Sequence, residues 1–562
     1  MANAASDSAG GQMSYPRPIN VLIIEDEKDA LTAYDQMFKR LSRFGIVSSV
    51  RYAYSYQQAS EALKGSRIYH LVILDLQLPE ELGLPAAQGV NLGLALLKEC
   101  ESRNDYPIPA LLVVSGHLGT TYQADLQSEL ASYFFYGRTI TKGMRLRKDI
   151  VAAIRQIRKY CDIGIHIRDG GEYSYPAISP RDEDLLRRAV AAQEIAIGVD
   201  LKWWAAEYGA ASEVGADFAG WTSTLMGQFV LDQDRGLSRP TFFKIFPSRG
   251  SEHVVWSTRI MQQKLEHVKL LSSITAGRRC ILATQKVGAA NCEPIQFSHI
   301  LNEDRATFQE QATSLVGQIC EQVSALGDEY TQECSLKGIF DRDVALEDLK
   351  TQWERYVPSI SAQTHLENPF QTRKELSMSD QAIYCTFQSC HHGDLNITNI
   401  AVDKAKAGLS AFIFDAGYCS REVNVRDLAM IEVTSLLHQA TDVDLPDACR
   451  SAYEADVLFA EDAINNAASD LAANTLRLIR EIRAQALKRA TPEIYALMVF
   501  DIATRQLWGL SFSVSRNKIK NPTSAARLAS LASGWLRRNA CQYFEKQSRT
   551  IGEDMATVTG VQ

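Results

Sequence analysis

His392-Gly393-Asp394-Leu395-Asn396-Ile397-Thr398-Asn399 is the stretch on which the reading of this chain turns. It is polar, sits between apolar runs, and sets Asn399 five residues after Asp394. Shortly after it, Ala411-Phe412-Ile413-Phe414 alternates as a strand and ends in Asp415, with Ala416-Gly417 behind. A further acid, Asp427, opens the next helical stretch. Working back from the loop, residues 223–231, 240–246 and 279–284 read as strands, with a helix over 254–271 between the last two. Residues 303–356 and 426–547 are mostly helical in pattern. A small β-rich part followed by a large helical one predicts an α+β domain of two lobes, over residues 185–545.

The N-terminal part has a different rhythm. Val21-Leu22-Ile23-Ile24, residues 47–54, Leu71-Val72-Ile73-Leu74 and residues 110–114 read as strands. Helical patterns over residues 30–41, 57–63, 91–101 and 149–160 follow them in turn. Strands alternating with helices predict a doubly wound parallel sheet, whose ligands gather at the carboxyl ends of the strands. Glu25, Asp26, Asp75 and Ser115 all fall there.

The residue types suggest one chemistry at each end. A carboxylate that accepts a phosphoryl group needs a divalent cation to offset both negative charges, and magnesium takes one or two carboxylates together with phosphate oxygens and water. Glu25, Asp26 and Asp75 offer that donor set; Ser115 and Lys142 offer partners for phosphoryl oxygens. Phosphoryl transfer from a nucleotide rests on positioning and charge neutralisation. It needs a carboxylate to orient the acceptor hydroxyl, an Asn and a second carboxylate for magnesium, and a lysine for the nucleotide phosphates. Asp394, Asn399, Asp415 and Lys244 match those needs in that order.

IIEDE, LVILDLQLP, VVSG and TKG resemble the response regulator receiver family over residues 18–162. That resemblance implies a flavodoxin-like, five-stranded parallel sheet, with Asp75 as phosphoacceptor, Glu25, Asp26 and Asp75 at magnesium, and Ser115 and Lys142 reading the phosphate. The chain departs from the family in carrying EELGLPAAQ after Pro79 and Gly143 after the lysine. Thr139 stands where an aromatic is usual, with Tyr133, Phe134, Phe135 and Tyr136 nearby. HGDLNITNI, AFIFDAG and RDLAMIE resemble the aminoglycoside phosphotransferase and choline kinase branch of the kinase-like superfamily. Here the resemblance implies Asp394 as catalytic base, Asn399 and Asp415 as metal ligands, Lys244 as a nucleotide-binding residue, and His392 and Asp427 as structural support. Gly220-Trp221-Thr222-Ser223, in the place of the phosphate-covering turn, is not GxGxxG. Glu266, then Glu252, are candidates to pair with Lys244.

Composition sets the outer bounds. At 562 residues the chain has room for two domains if one is large. Residues 1–17 and 546–562 read as polar tails, and 163–184, rich in Gly, Ser, Pro and charge, as a linker. A helix over 182–197 is expected to pack on one or both domains. Net charge of -8 argues against a general DNA binder, and no run is long and apolar enough for a membrane span. The eleven cysteines show no CxxC pair and point to a reduced, cytoplasmic setting. Together these readings predict a response regulator phosphorylated on Asp75 by a histidine kinase or phosphotransfer protein. Its output is an ATP- (or GTP-) and magnesium-dependent kinase acting on an unidentified hydroxyl acceptor, with a homodimer left open. The alternative is a catalytically inactive nucleotide-binding scaffold under receiver control.

Overall fold

The computed structural model describes residues 19–47, 49–75, 78–81, 96, 109–115, 137–141, 146–161, 165–168, 179–192, 199–204, 225–231, 241–247, 251–276, 279–285, 295–340, 344–360, 366–405, 408–414, 419–439, 453, 461–511 and 521–540. The chain forms two compact units: Met1–Glu252 with Leu270–Lys286, and His253–Lys269 with Val287–Gln562.

The first unit begins with β1 (Asn20–Ile24), α1 (Lys28–Arg43), β2 (Ser49–Ala53), α2 (Tyr56–Lys64), β3 (Leu71–Leu74), β4 (Ala110–Ser115), β5 (Gly137–Thr141) and α3 (Leu146–Cys161). The strands pair in the order β2-β1-β3-β4-β5, all parallel. Apolar residues of β1, β3 and β4 are buried on both faces of the sheet, as a parallel sheet covered by helices requires. Tyr34 and Phe38 of α1 and Ile150, Ile154 and Ile157 of α3 belong to the core they enclose. β5 (Gly137-Arg138-Thr139-Ile140-Thr141) carries one large apolar residue, so periodicity does not mark it. The helical stretch expected over 91–101 lies outside the described residues apart from Leu96.

A second sheet completes this unit. Its order is β10-β11-β9-β8-β7-β6, formed by β6 (Ile165–Arg168), β7 (Val199–Trp204), β8 (Leu225–Leu231), β9 (Thr241–Pro247), β10 (Leu270–Ala276) and β11 (Arg279–Gln285). Only β6 and β7 run parallel; the other neighbours are antiparallel. β6 falls inside the stretch read as a linker, where Ile165-His166-Ile167 supplies a short alternating run. Helix α4 (Pro180–Ala192) packs on α3 and on the β10–β11 hairpin. Its apolar residues Leu185, Leu186 and Val190 are buried, and Ala191 rests on the core of the first sheet. Helix α5 (Ser251–Lys264) ends seven residues before the predicted stop at 271. Val268 N donates to Leu265 O in the turn that follows, and the Ser- and Ile-bearing Leu270–Ala276 joins the sheet instead. Short-range apolar spacing cannot separate those two outcomes; pairing with β11 decides between them.

The second unit holds β12 (Ile295–Gln296), α6 (Arg305–Ala325), β13 (Glu329–Ser335), α7 (Leu346–Ile360), α8 (Pro369–Ser377), β14 (Ala382–Gln388), β15 (Ile400–Ala405), β16 (Gly408–Ile413), β17 (Glu422–Val423), α9 (Arg426–Gln439), α10 (Asp470–Ala486), α11 (Pro492–Gly509) and α12 (Pro522–Asn539). Helix starts are written in the sequence: Asn368-Pro369, Thr491-Pro492 and Asn521-Pro522 each place a capping side chain before a first-turn proline. Helix α11 is the hub, buried over most of its length and packed against α9 and α12. Two buried carboxylates tie the helices together. Asp501 accepts from Arg373 at 2.8 Å, Arg426 at 2.7 Å and Arg505 at 2.9 Å. Glu432 accepts from Arg483 at 2.7 Å, Tyr453 at 2.6 Å and Tyr495 at 2.7 Å. Buried charges of this kind persist only when their partners are in place.

Candidate functional sites

At the edge of the first sheet, register does the placing. Ile24 lies opposite both Ala53 and Leu74, so the residues after β1 and β3 leave the sheet side by side. Asp75 N donates to Ile24 O at 2.9 Å, and Glu25 N to Ala53 O at 3.0 Å. One oxygen each from Glu25, Asp26 and Asp75 lies within 4.8 Å of the others. Glu25 and Asp75 are buried and Asp26 is half-buried. Three hard oxygen donors meeting at the carboxyl ends of β1 and β3 fit a magnesium ion. Ser115 is the last residue of β4, paired in register with Thr141 of β5. Lys142 follows Thr141 and lies outside the described residues, as do residues 133–136.

In the second unit the loop 391–399 is built almost wholly from hydrogen bonds. Gly393 has φ of +78°, a conformation that favours glycine and turns the chain before Asp394. Asn396 N donates to Asp394 O at 2.8 Å, and Asn396 Oδ1 accepts from Thr398 N at 2.9 Å. The Asn399 side-chain amide donates to Asp394 O at 2.7 Å and reaches Asp394 Oδ2 at 3.4 Å. Phe414 N donates to Asn399 O at 3.0 Å, which ties the end of β16 to the loop. A Cβ at Gly327 would meet Cys390 N at 2.5 Å, so only glycine lets the chain before β13 pass so close to the loop's entrance.

His391, His392 and Asp427 hold this loop from beneath. Asp427 Oδ2 accepts from His391 Nδ1 at 3.1 Å and from His392 N at 2.9 Å. His391 Nε2 donates to Glu422 O at 3.1 Å. His392 Nε2 donates to Phe414 O at 2.9 Å. All three side chains are buried. Burial alone would push the Asp427 carboxyl up, but the His391 ring and the His392 ring and amide outweigh it and bring it down to about 2. Arg421 and Arg426, its sequence neighbours, are engaged elsewhere: Arg426 on Asp501, and Arg421 over the rings of Tyr330 and Phe387. His391 is a functional residue that the sequence reading does not single out. Its one signal was the tandem His-His before the loop.

The structure brings Asp394 and Asn399 together and places Asp427 and His392 under them. Asp415 and residues 220–223 lie outside the described residues. Lys244 is half-buried on β9, paired in register with Met226 and Leu282 on the two flanking strands. Glu266 is exposed in the turn after α5, not on that helix. Nothing is described of the Glu252 side chain.

No family model matches the chain, and no curated protein matches it. The structural neighbours include CheY-like receiver domains over the N-terminal region, and aminoglycoside phosphotransferase and ethanolamine kinase folds over the rest. A response regulator receiver domain from Methylobacillus flagellatus is 23% identical, covers 25% of this chain and 99% of its own, and has a TM-score of 0.18. A spectinomycin phosphotransferase in complex with ADP and spectinomycin is 11% identical, covering 62% of this chain and 93% of its own, with a TM-score of 0.25. An ethanolamine kinase from Plasmodium vivax is 10% identical, covering 77% of this chain and 96% of its own, also with a TM-score of 0.25.

Proposed function

We propose that this chain is a response regulator whose N-terminal sheet takes a phosphoryl group on Asp75 from a histidine kinase or phosphotransfer protein. Its second unit supplies the loop of a phosphotransferase that moves phosphate from ATP to a hydroxyl acceptor. The observation that carries the second half is the Asn399–Asp394 pair. The Asn399 NH2 group is spent on Asp394 O, which leaves its Oδ1 end to serve a cation. Asp394 holds the acceptor hydroxyl and takes its proton as the phosphoryl group transfers. Lys244 meets the nucleotide phosphates. His392 and Asp427 fix the loop that carries Asp394.

The residues that would hold magnesium are Glu25, Asp26 and Asp75 at the first site, and Asn399 and Asp415 at the second. The bound ion would offset phosphate charge at both. Incubation with γ-labelled ATP and a panel of hydroxylated metabolites and proteins tests the second half. A labelled product that Asp394→Ala fails to make supports it. Tight nucleotide binding with no product across the panel would instead favour a nucleotide-binding scaffold.

A further inference from the structure

Two hydrogen bonds fasten α5 and the turn after it to the connection between β16 and β17. Cys419 N donates to Ser257 Oγ at 2.9 Å, and Cys419 Sγ faces Ser257 O at 3.8 Å. His267 Nε2 donates to Ile413 O at 2.9 Å, its ring edge-on to Phe412 at 5.1 Å. Ser257 is fully buried, and burial also favours the neutral His267 ring, which can still donate from Nε2. Ile413 and Cys419 stand on either side of residues 414–418.

Each anchor is one residue away from a bond to the loop that carries Asp394. Phe414, next to Ile413, donates to Asn399 O and accepts from His392 Nε2. Ser420, next to Cys419, accepts from His391 N at 3.0 Å. The chain of contacts therefore runs from α5 to both ends of the loop 391–399, through backbone groups that have little freedom to shift. We infer that Ser257 and His267 are positioning residues for Asp394 and Asn399, acting through Cys419–Ser420 and Ile413–Phe414. This rests on the phosphotransfer reading above.

The chemistry of the two side chains sets the test. Ser257→Ala removes the acceptor of the Cys419 amide, and Ser257→Thr keeps a hydroxyl. His267→Phe removes the donor to Ile413 O, and His267→Gln keeps an N–H. A misplacement of about 1 Å costs on the order of a hundredfold in rate. Ser257→Ala and His267→Phe should therefore lower kcat by about tenfold to a hundredfold. The KM for nucleotide should rise by less than kcat falls, because a shifted loop misplaces Asp394 in the transition state while Asn399 keeps its side-chain bond to Asp394 O. Ser257→Thr should recover most of the rate and His267→Gln part of it.

Amide exchange gives a readout besides activity. In Ser257→Ala the amides of Cys419, His391 and His392 should exchange faster, and in Ser257→Thr they should not. Lost protection at Cys419 with kcat unchanged would make the contact structural only. A fall in kcat that Ser257→Thr does not recover would point to general destabilisation and overturn the proposal. If the wild type turns nothing over, the phosphotransfer reading fails by itself. The exchange of His391 and His392 then decides alone, and unchanged rates in Ser257→Ala sink the positioning role.

Discussion

Asn399 donates its side-chain amide to the main-chain carbonyl of Asp394 at 2.7 Å, so the two residues are one mechanical piece. Their separate roles should still come apart in solution. On the function proposed above, Asp394→Ala leaves the nucleotide side alone and removes the group that would take the acceptor's proton. Turnover should fall by roughly 10²–10⁴-fold, the usual worth of general base catalysis, while nucleotide affinity stays within about threefold. Asn399→Ala should raise the magnesium concentration needed for half-maximal rate. Titration calorimetry beside a turnover assay separates the two, and parallel losses of affinity in both variants would contradict the assignment.

At the first sheet, the meeting of Glu25, Asp26 and Asp75 within 4.8 Å predicts that phosphorylation of Asp75 requires a divalent cation. With a small-molecule phosphodonor and magnesium, one acid-labile phosphate should appear; with a chelator, none. Asp75→Asn should stay unlabelled, and Glu25→Ala or Asp26→Ala should need more magnesium. Label on Asp75→Asn equal to wild type would move the acceptor elsewhere.

Asp427 gives a pH prediction with a defined sign. Its carboxyl is brought down to about 2 in the folded chain from an ordinary 3.8. A depressed carboxyl stabilises the fold above its unfolded value, and that contribution is lost as pH falls toward the folded one. The difference of nearly two units corresponds to about 2 kcal/mol. Urea unfolding of wild type and Asp427→Asn should therefore differ most above about pH 4 and converge as pH falls toward 2. A difference that stays flat across that window would mean that His391 does not hold the carboxylate ionised.

Much of this was legible before any coordinates, and the misses share a cause. Val21–Ile24 and Leu71–Leu74 are continuous apolar runs ending in acids, so both the sheet and the gathering of acids at its carboxyl end could be read from them. β5 could not, because Arg138, Thr139 and Thr141 leave it no pattern; it exists by pairing with β4. Most of β10 is likewise unmarked, its first two residues lying at the end of the predicted helix 254–271, because its status depends on pairing with β11. In the loop, Asp394 and Asn399 declared themselves by spacing. His391 did not, because its importance lies in Asp427 and Glu422, more than thirty residues away. The anchors Ser257 and His267 are ordinary residues whose partners lie some 150 positions downstream.

On the function proposed above, helix α4 is a route by which a signal on Asp75 would leave the first sheet. It packs on α3 on one side and on the β10–β11 hairpin on the other. Arg181, Asp182, Asp184 and Arg188 are buried: Asp182 Oδ2 meets Arg279 of β11 at 3.3 Å, and Asp184 meets Arg188 at 2.8 Å. Asp182 Oδ1 has no hydrogen-bond partner among the described residues. A buried carboxylate that meets one long side-chain contact among the described residues is costly, and a small shift of the helix would change that cost. Loading Asp75 with beryllium fluoride and magnesium should therefore change amide exchange in Pro180–Ala192 and across β10 and β11. Coupling between sites is typically about 1–3 kcal/mol, or roughly 5–150-fold in an opening equilibrium. Arg279→Ala should leave the mimic bound at Asp75 but remove the response in β10 and β11. If beryllium fluoride binds the wild type and exchange in the hairpin stays constant, α4 is a passive strut and the signal leaves the first sheet by another route.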